Sequence, residues 1–248
     1  MNFLVKIAGV IIEIHAIHKL VYYYCREYWI TNESPDFIVS ITEKEVEEER
    51  ILCYSSYTTT DLKSNQYLYG RIELMLVLRK IADRFLEYDI VLVHGTVVYD
   101  GQRGILLSAP SGTGKTTRAK RLMAEKPGIE IINGDKPFLK IIEGQTIAYG
   151  TPWCGKEFYN KNQVVPINTI LLLERSENTF LEEVSFTEAL PFLINQTYFP
   201  PVEGGILKVI NLLKQMKCNV KIIRYCSRSD ASDIIEAYNY CCRCLVSA

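Results

Sequence analysis

Apolar and polar positions along this chain change their period several times, and each change predicts an element. Residues 7–14 are rich in isoleucine and valine and predict a strand. Between His18 and Trp29, Leu20, Tyr23, Tyr24 and Tyr28 recur near helical spacing, which predicts an amphipathic helix. Asn32-Glu-Ser-Pro35 is a turn signal, and residues 36–42 alternate as a second strand. Residues 43–50 are highly charged and predict a solvated helix face. Residues 54–64 are polar and fit a strand or a loop equally well. Residues 65–88 form the longest helical candidate, with Leu74, Val77, Leu78, Ile81, Ala82 and Leu86 covering much of the turn.

From residue 89 the texture becomes that of short strands. Ile90-Val-Leu-Val93, Thr96-Val-Val-Tyr99 and Gly104-Ile-Leu-Leu107 are separated by His94-Gly95 and by a hairpin-type turn from Asp100. A small-residue stretch and a helical segment, residues 118–125, come next. Residues 129–132 predict a strand, and residues 138–142 and 145–149 a hairpin around Glu143-Gly144. Residues 150–156 read as a loop and residues 167–173 as a buried strand. Ser185-Phe-Thr-Glu188 is a capping box that opens a helix to about Thr197. An amphipathic helix over residues 204–217 and a strand over 220–225 follow. A last helix, capped by Ser229 or Asp230, runs towards Cys244. Strands alternating with helices in this way predict an α/β fold.

Composition narrows the class. The chain has 248 residues, 48% of them hydrophobic, enough for a substantial core, and a net charge of −1. That charge implies no general attraction to nucleic acid or to an anionic membrane. The apolar run at residues 3–11 contains Lys6, lacks a basic leader and is too short to span a bilayer, so the expected compartment is the cytoplasm. The eight cysteines are expected to be reduced thiols, with Cys241-Cys-Arg-Cys244 packing at a helix end. His15 and His18 can share a helix face, but nothing in the sequence completes a metal site there.

The stretch with a definite chemical meaning is Ala109-Pro-Ser-Gly-Thr-Gly-Lys-Thr-Thr117. It fits the phosphate-loop pattern G-x-x-x-x-G-K-[ST], with Ala109 at the first glycine, between a strand and a helix. Gly112 and Gly114 let the backbone turn its N–H groups inward, and the helix N-terminus adds positive potential. Lys115 can reach outer phosphates, and Thr116 can offer a hydroxyl to Mg²⁺. The expected nucleotide-binding set is Ser111, Gly112, Thr113, Gly114, Lys115, Thr116 and Thr117. Arg175, at a strand end facing the crevice, is added to it. Asp135, about twenty residues beyond Lys115 and past the next strand, is the candidate to support the metal or to accept a proton. His94, at a strand end before a glycine, is a candidate phosphate contact or tuner of a carboxylate. Lys156, in a glycine-bearing loop, is a candidate point charge over the phosphates.

Taken together, His94-Gly-Thr-Val-Val98, the run from Gly104 through Thr117, and Asn133-Gly-Asp135 resemble the catalytic domain of HPr kinase/phosphorylase. They resemble more closely the shorter HPr-kinase-related proteins of bacterial biosynthetic clusters, and phosphoenolpyruvate carboxykinase shares the core fold more distantly. The motifs cover residues 90–175, and residues 1–88 do not look like the N-terminal domain of true HPr kinase. The resemblance implies a P-loop core of the HPr kinase/carboxykinase type, a mixed sheet flanked by helices, over residues 89–248. Residues 1–88 would be an α/β segment packed on it. It also implies an ATP- and Mg²⁺-dependent kinase acting on a hydroxyl, often a serine, of a peptide, protein or small molecule, and it hints at a homo-oligomer. HPr kinase has a histidine matching His94 beside its catalytic aspartate, and paired aspartates after the strand. Here the pair reads Gly134-Asp135, so the metal-associated member is present and the proton acceptor is missing. The other readings are a nucleotide-binding regulatory module without transfer and, less favoured, an ATP-dependent carboxykinase. The chain is short for the latter and lacks most of its substrate arginines as a recognisable set.

Overall fold

Ile170, Leu171, Leu172 and Leu173 are consecutive on one strand, yet all four are buried. Successive side chains of a strand point to opposite faces, so both faces of this one are covered. The computed structural model describes residues 1–54, 62–228 and 233–246. The chain forms two compact units, Met1–Arg84 and Phe85–Ala248.

In the second unit the elements run, in chain order, β5 (Ile90–Leu92), β6 (Gly95–Tyr99), β7 (Gly104–Ser108), α4 (Lys115–Glu125), β8 (Glu130–Asn133), β9 (Phe138–Ile142) and β10 (Gln145–Tyr149). Then come β11 (Val164–Arg175), β12 (Phe180–Glu183), α5 (Phe186–Asn195), α6 (Gly205–Gln215), β13 (Lys221–Ser227) and α7 (Ile234–Val246). The strands form one nine-stranded mixed sheet. β11 lies parallel to β7 on one edge and to β13 on the other. β7 pairs antiparallel with β6, and β6 with β8. The start of β11 leads antiparallel through β10 and β9 to β5.

Alternation along the strands sorts the core into two layers. Val97, Leu106, Ile132, Ile170, Leu172 and Ile222 face α5 and α6 through Ala189, Leu193, Val209 and Leu213. Val98, Leu107, Ile131, Leu171, Leu173 and Tyr225 face α4 and α7 through Ala119, Leu122, Ile234 and Ala237. The protein is therefore mixed α/β, with helices on both faces of this sheet. The capping box forms as expected: Ser185 accepts from the Glu188 N–H, and Glu188 reaches back to the Ser185 N–H.

The first unit holds β1 (Asn2–Ile7), β2 (Val10–His15), α1 (Lys19–Tyr24), β3 (Trp29–Ile30), β4 (Phe37–Ser40), α2 (Glu43–Tyr54) and α3 (Leu62–Phe85). Its sheet has the order β3-β1-β2-β4. Three expectations are corrected. Residues 7–14 are not one strand but the turn and second arm of a hairpin, with Ala8 (φ 52°) and Gly9 (φ 82°) both left-handed. The helix expected from His18 to Trp29 covers only six residues and is followed by a 3-10 turn at Arg26–Tyr28, and Trp29 already starts β3. His15 ends β2 whereas His18 caps α1, so they share no helix. Each instead meets its own carboxylate at 2.7 Å, Glu13 for His15 and Glu73 for His18. The strand β12 was not foreseen. Most of the ambiguous 54–64 stretch and both expected caps of the last helix lie outside the described residues.

Among the described residues, no helix is long and apolar enough to cross a membrane. The described cysteines are free thiols, and Cys241 is buried in the core layer against α4.

Candidate active site

Strand directions gather the chemistry at one end of the sheet. Gly95 sits opposite Ser108, so the start of β6 lies beside the end of β7. β8 runs antiparallel to β6, with Asn133 opposite Val97, and its end therefore comes to the same place. β11 is parallel to β7 and delivers Arg175 there as well. His94, the 109–114 loop, Asp135 and Arg175 are thus carried to one edge by backbone pairing alone.

The loop has the shape its glycines permit. Gly112 and Gly114 have φ of 79° and 91°, and a Cβ on Gly114 would come within 2.8 Å of the Arg118 guanidinium. Ala109 is buried in the layer beneath α4, a position where a methyl fits. Lys115, the first residue of α4, is buried and folds its Nζ back to the Ala109 carbonyl (2.8 Å) and the Pro110 carbonyl (3.3 Å). Burial lowers its pKa to about 8, an effect that Asp135 opposes and Lys136 adds to. Thr113 and Arg118 N–H groups bond within the loop and first turn. Among the described residues, no hydrogen bond occupies the N–H groups of Gly112, Gly114, Lys115 or Thr116. Those donors are available to an anion at the helix N-terminus.

Two arginines brace the loop from outside. Arg175 donates to the Gly112 carbonyl at 2.7 Å. Arg118 is buried and donates to the Thr113 carbonyl, the Ser227 hydroxyl and the Arg228 carbonyl, each at 2.8 Å. Its guanidinium also lies over the Tyr225 ring. Next to the loop, Arg175, Ser176, Glu177, Ser227 and Arg228 line a groove of about 670 Å³. Ser111, Gly112 and Thr117 are exposed and Thr116 is half-buried.

Asp135 is placed by its neighbour Asn133. The Asn133 Oδ1 accepts from the N–H groups of Asp135 (3.0 Å) and Lys136 (2.8 Å), a tight side-chain turn. Its Nδ2 donates to the Thr151 carbonyl and hydroxyl, tying the 150–156 loop to the end of β8. Gly134 lies where this loop passes closest: a Cβ there would meet the Cys154 carbonyl oxygen at 2.6 Å. The aspartate missing from position 134 is therefore excluded by the path of the 150–156 backbone. Burial would raise the pKa of Asp135, but a hydrogen bond from His94 and the charges of Lys136, His94 and Lys115 outweigh it and lower the value.

The His94 Nε2 lies 3.3 Å from Asp135 Oδ1, and its Nδ1 lies 2.9 Å from Gln196 Oε1. The structure so brings together His94, Asp135, Lys115, the loop and Arg175. The 150–156 loop passes close to this group, a Cβ on Gly155 lying 3.3 Å from the Asp135 Cβ. Lys156 is exposed, and no hydrogen bond or ion pair joins it to Asp135 or His94 among the described residues. The lysine whose charge acts on Asp135 and Lys115 is Lys136. Lys136, Arg118 and Gln196 were not singled out from sequence. Lys136 adjoins a named candidate and was within reach; Gln196 is 102 positions from His94, and no spacing signals it.

No cluster of three or more His, Cys, Asp or Glu among the described residues could hold a metal ion by itself. A single carboxylate with a threonine hydroxyl suits Mg²⁺ instead, which takes few protein ligands and several phosphate or water oxygens. Thr116 and Asp135 are the residues that would hold it.

No family model matches the chain, and a search of curated proteins found no match. Among solved structures, the chain is distantly similar to one described as the Hpr(Ser) kinase/phosphatase from Coxiella burnetii. The identity is 13% and the TM-score 0.37, over 63% of this chain and 99% of that one.

Proposed function

We propose that this protein is a phosphotransferase that moves the γ-phosphate of ATP, with Mg²⁺, to a serine-like hydroxyl of a peptide, protein or small molecule. The observation that carries the reading is the meeting, at one sheet edge, of a glycine-shaped loop with free N–H donors and a His94–Asp135 pair 3.3 Å apart. Phosphoryl transfer requires mainly positioning and charge neutralisation, which these groups supply.

The loop donors and the Lys115 ammonium would hold the phosphates, and Arg175 holds the Gly112 carbonyl through its hydrogen bond. Lys115 leaves two carbonyl partners to meet a phosphate, whose negative charge restores the stability of its protonated form. Asp135, with its lowered pKa, is ionised at neutral pH. Thr116 and Asp135 would serve Mg²⁺, which when bound neutralises charge on the transferring group. His94 borders the position where an acceptor hydroxyl must approach Asp135.

The test is incubation with γ-labelled ATP and a panel of serine-containing acceptors. Label should pass to an acceptor, and Lys115→Ala should abolish the transfer; a Lys115→Ala protein that transfers as well as wild type would refute the assignment. The packing at Gly134 favours a second reading, a nucleotide-binding module without transfer, because no carboxylate fits there. Tight ATP binding with no ADP formed across the acceptor panel would select it.

A further inference from the structure

Alternation leaves one face of the first unit's sheet open. On β2, Val10, Ile12 and Ile14 are buried, while Ile11, Glu13 and His15 are half-buried on the opposite side. On β4, Phe37 and Val39 are buried, and Ile38 and Ser40 are exposed. β4 ends the order of this sheet and runs parallel to β2, with His15 opposite Ser40. Register therefore brings Glu13, His15 and Ser40 together on the open face, at the sheet's edge.

The three side chains are linked by hydrogen bonds. His15 Nε2 lies 2.7 Å from Glu13 Oε1, and His15 Nδ1 lies 3.1 Å from Ser40 Oγ. A carboxylate can only accept, so the ring carries hydrogen on Nε2. In the neutral ring the lone pair is then on Nδ1, and the Ser40 hydroxyl donates to it. A hydroxyl set against a base that a third group orients is the arrangement that activates a serine as a nucleophile. The backbone keeps it in place. Ile41 N–H donates to the His15 carbonyl at 3.4 Å, and Lys80 of α3 donates to the Ser40 carbonyl at 2.8 Å. Lys80, paired with Glu45 at 2.5 Å, also puts positive charge beside Ser40.

The candidate active site can hold phosphates, yet Gly134 leaves no room for a second carboxylate to take the acceptor's proton. A hydroxyl that carries its own base does not need one. We propose that Ser40 is a phosphoryl acceptor for a second copy of this chain, with His15 as the base that takes its proton and Glu13 as a positioning residue. The inference rests on the phosphotransfer reading above. In the step, the Ser40 O–H bond breaks, its proton passes to His15 Nδ1, and Oγ bonds to the γ-phosphorus. The bond from that phosphorus to the β–γ bridging oxygen breaks and ADP leaves. The imidazolium, still donating to Glu13 through Nε2, returns its extra proton to water.

The experiment uses tagged Lys115→Ala protein as acceptor and a trace of untagged wild type with γ-labelled ATP as donor. Lys115→Met is the second inactive acceptor should the alanine variant fold poorly. Mass spectrometry of the recovered acceptor locates the label. The expected result is phosphate on Ser40, and none there when Ser40→Ala is added to the acceptor. Adding His15→Ala to the acceptor should slow its labelling by about 100-fold or more, the scale of a lost general base, and free imidazole in the buffer should restore part of the rate. Glu13→Gln, which keeps the shape of the side chain, should slow it as well. An unlabelled Ser40 beside a labelled acceptor panel overturns the proposal and leaves the phosphotransfer reading standing; no label on any acceptor removes both. Label on wild-type Ser40 that never passes to the inactive protein rules out transfer between copies. Full labelling of the His15→Ala acceptor, or a loss that imidazole does not relieve, removes His15 as the base.

Discussion

Restoring the missing carboxylate should harm the protein. Gly134→Asp, and Gly134→Ala as the smaller probe, each add a Cβ at 2.6 Å from the Cys154 carbonyl oxygen, 0.8 Å short of the 3.4 Å at which ordinary contact begins. Neither side yields freely. Gly134 is tied by its N–H to the Tyr159 carbonyl (2.9 Å) and by its carbonyl to the Thr96 hydroxyl (2.9 Å). Cys154 follows Trp153, whose carbonyl accepts from Lys136 N–H at 3.1 Å, and Thr151 is held by Asn133. Overpacking of this kind costs about 1–3 kcal/mol. Loosening the Lys136–Trp153 hydrogen bond adds about 1 kcal/mol. The expected loss is therefore about 2–4 kcal/mol, or a Tm lower by roughly 5–15 °C for a domain of this size. The chain has two tryptophans, and Trp153 is buried in the affected loop. In a Trp29→Phe background its fluorescence follows urea unfolding of this region. Midpoints for Gly134→Ala and Gly134→Asp that match the parent would refute the argument from close approach. The position would then be open to a carboxylate.

Three further outcomes are expected. Burial holds the pKa of Lys115 at about 8 against an ordinary 10.5, so between those values the unfolded chain binds more protons than the folded one. Ligand-free wild type should gain stability relative to Lys115→Met as pH rises from about 8 to about 10.5, as urea midpoints across that range would show. Arg118→Ala removes a buried guanidinium from two carbonyls and a hydroxyl, and should cost about 2–4 kcal/mol in denaturant unfolding. Ser185→Ala should cost about 1 kcal/mol, with loss of N-terminal helix protection at α5 in hydrogen exchange.

What could be read from sequence was whatever is encoded within a few consecutive residues. The phosphate loop is contiguous, and its strand, loop and helix appear where the pattern put them. The β9–β10 hairpin is equally plain, since Glu143-Gly144 supplies the turn between two short strand-like arms. The β1–β2 hairpin is hidden because its turn uses Ala8, a residue with no turn signature, and a lone Gly9 inside an apolar run interrupted by Lys6. The candidate site shows the same division. Asp135 was legible from its distance past the loop and its place after a strand. The absence of a carboxylate at 134 could be seen, but its reason could not. It depends on Cys154, which reaches Gly134 only after the 150–156 loop has folded back. Lys156 is suggested by its glycine-bearing surroundings, and it stands exposed next to Gly155, which packs against Asp135. Gln196 is fixed by a ladder between residues 92–94 and 196–198, a long-range pairing with no local trace.

The bracing of the phosphate loop by Arg118 also bears on how the protein is made. The loop ends at Thr117, but the Ser227 hydroxyl and Arg228 carbonyl that hold Arg118 are translated more than a hundred residues later. Until residue 228 has left the ribosome, the Arg118 guanidinium would have neither of those partners. A nascent chain stalled before that point would carry the whole phosphate-loop sequence without its finished form. The loop would reach its braced form only with completion of β13.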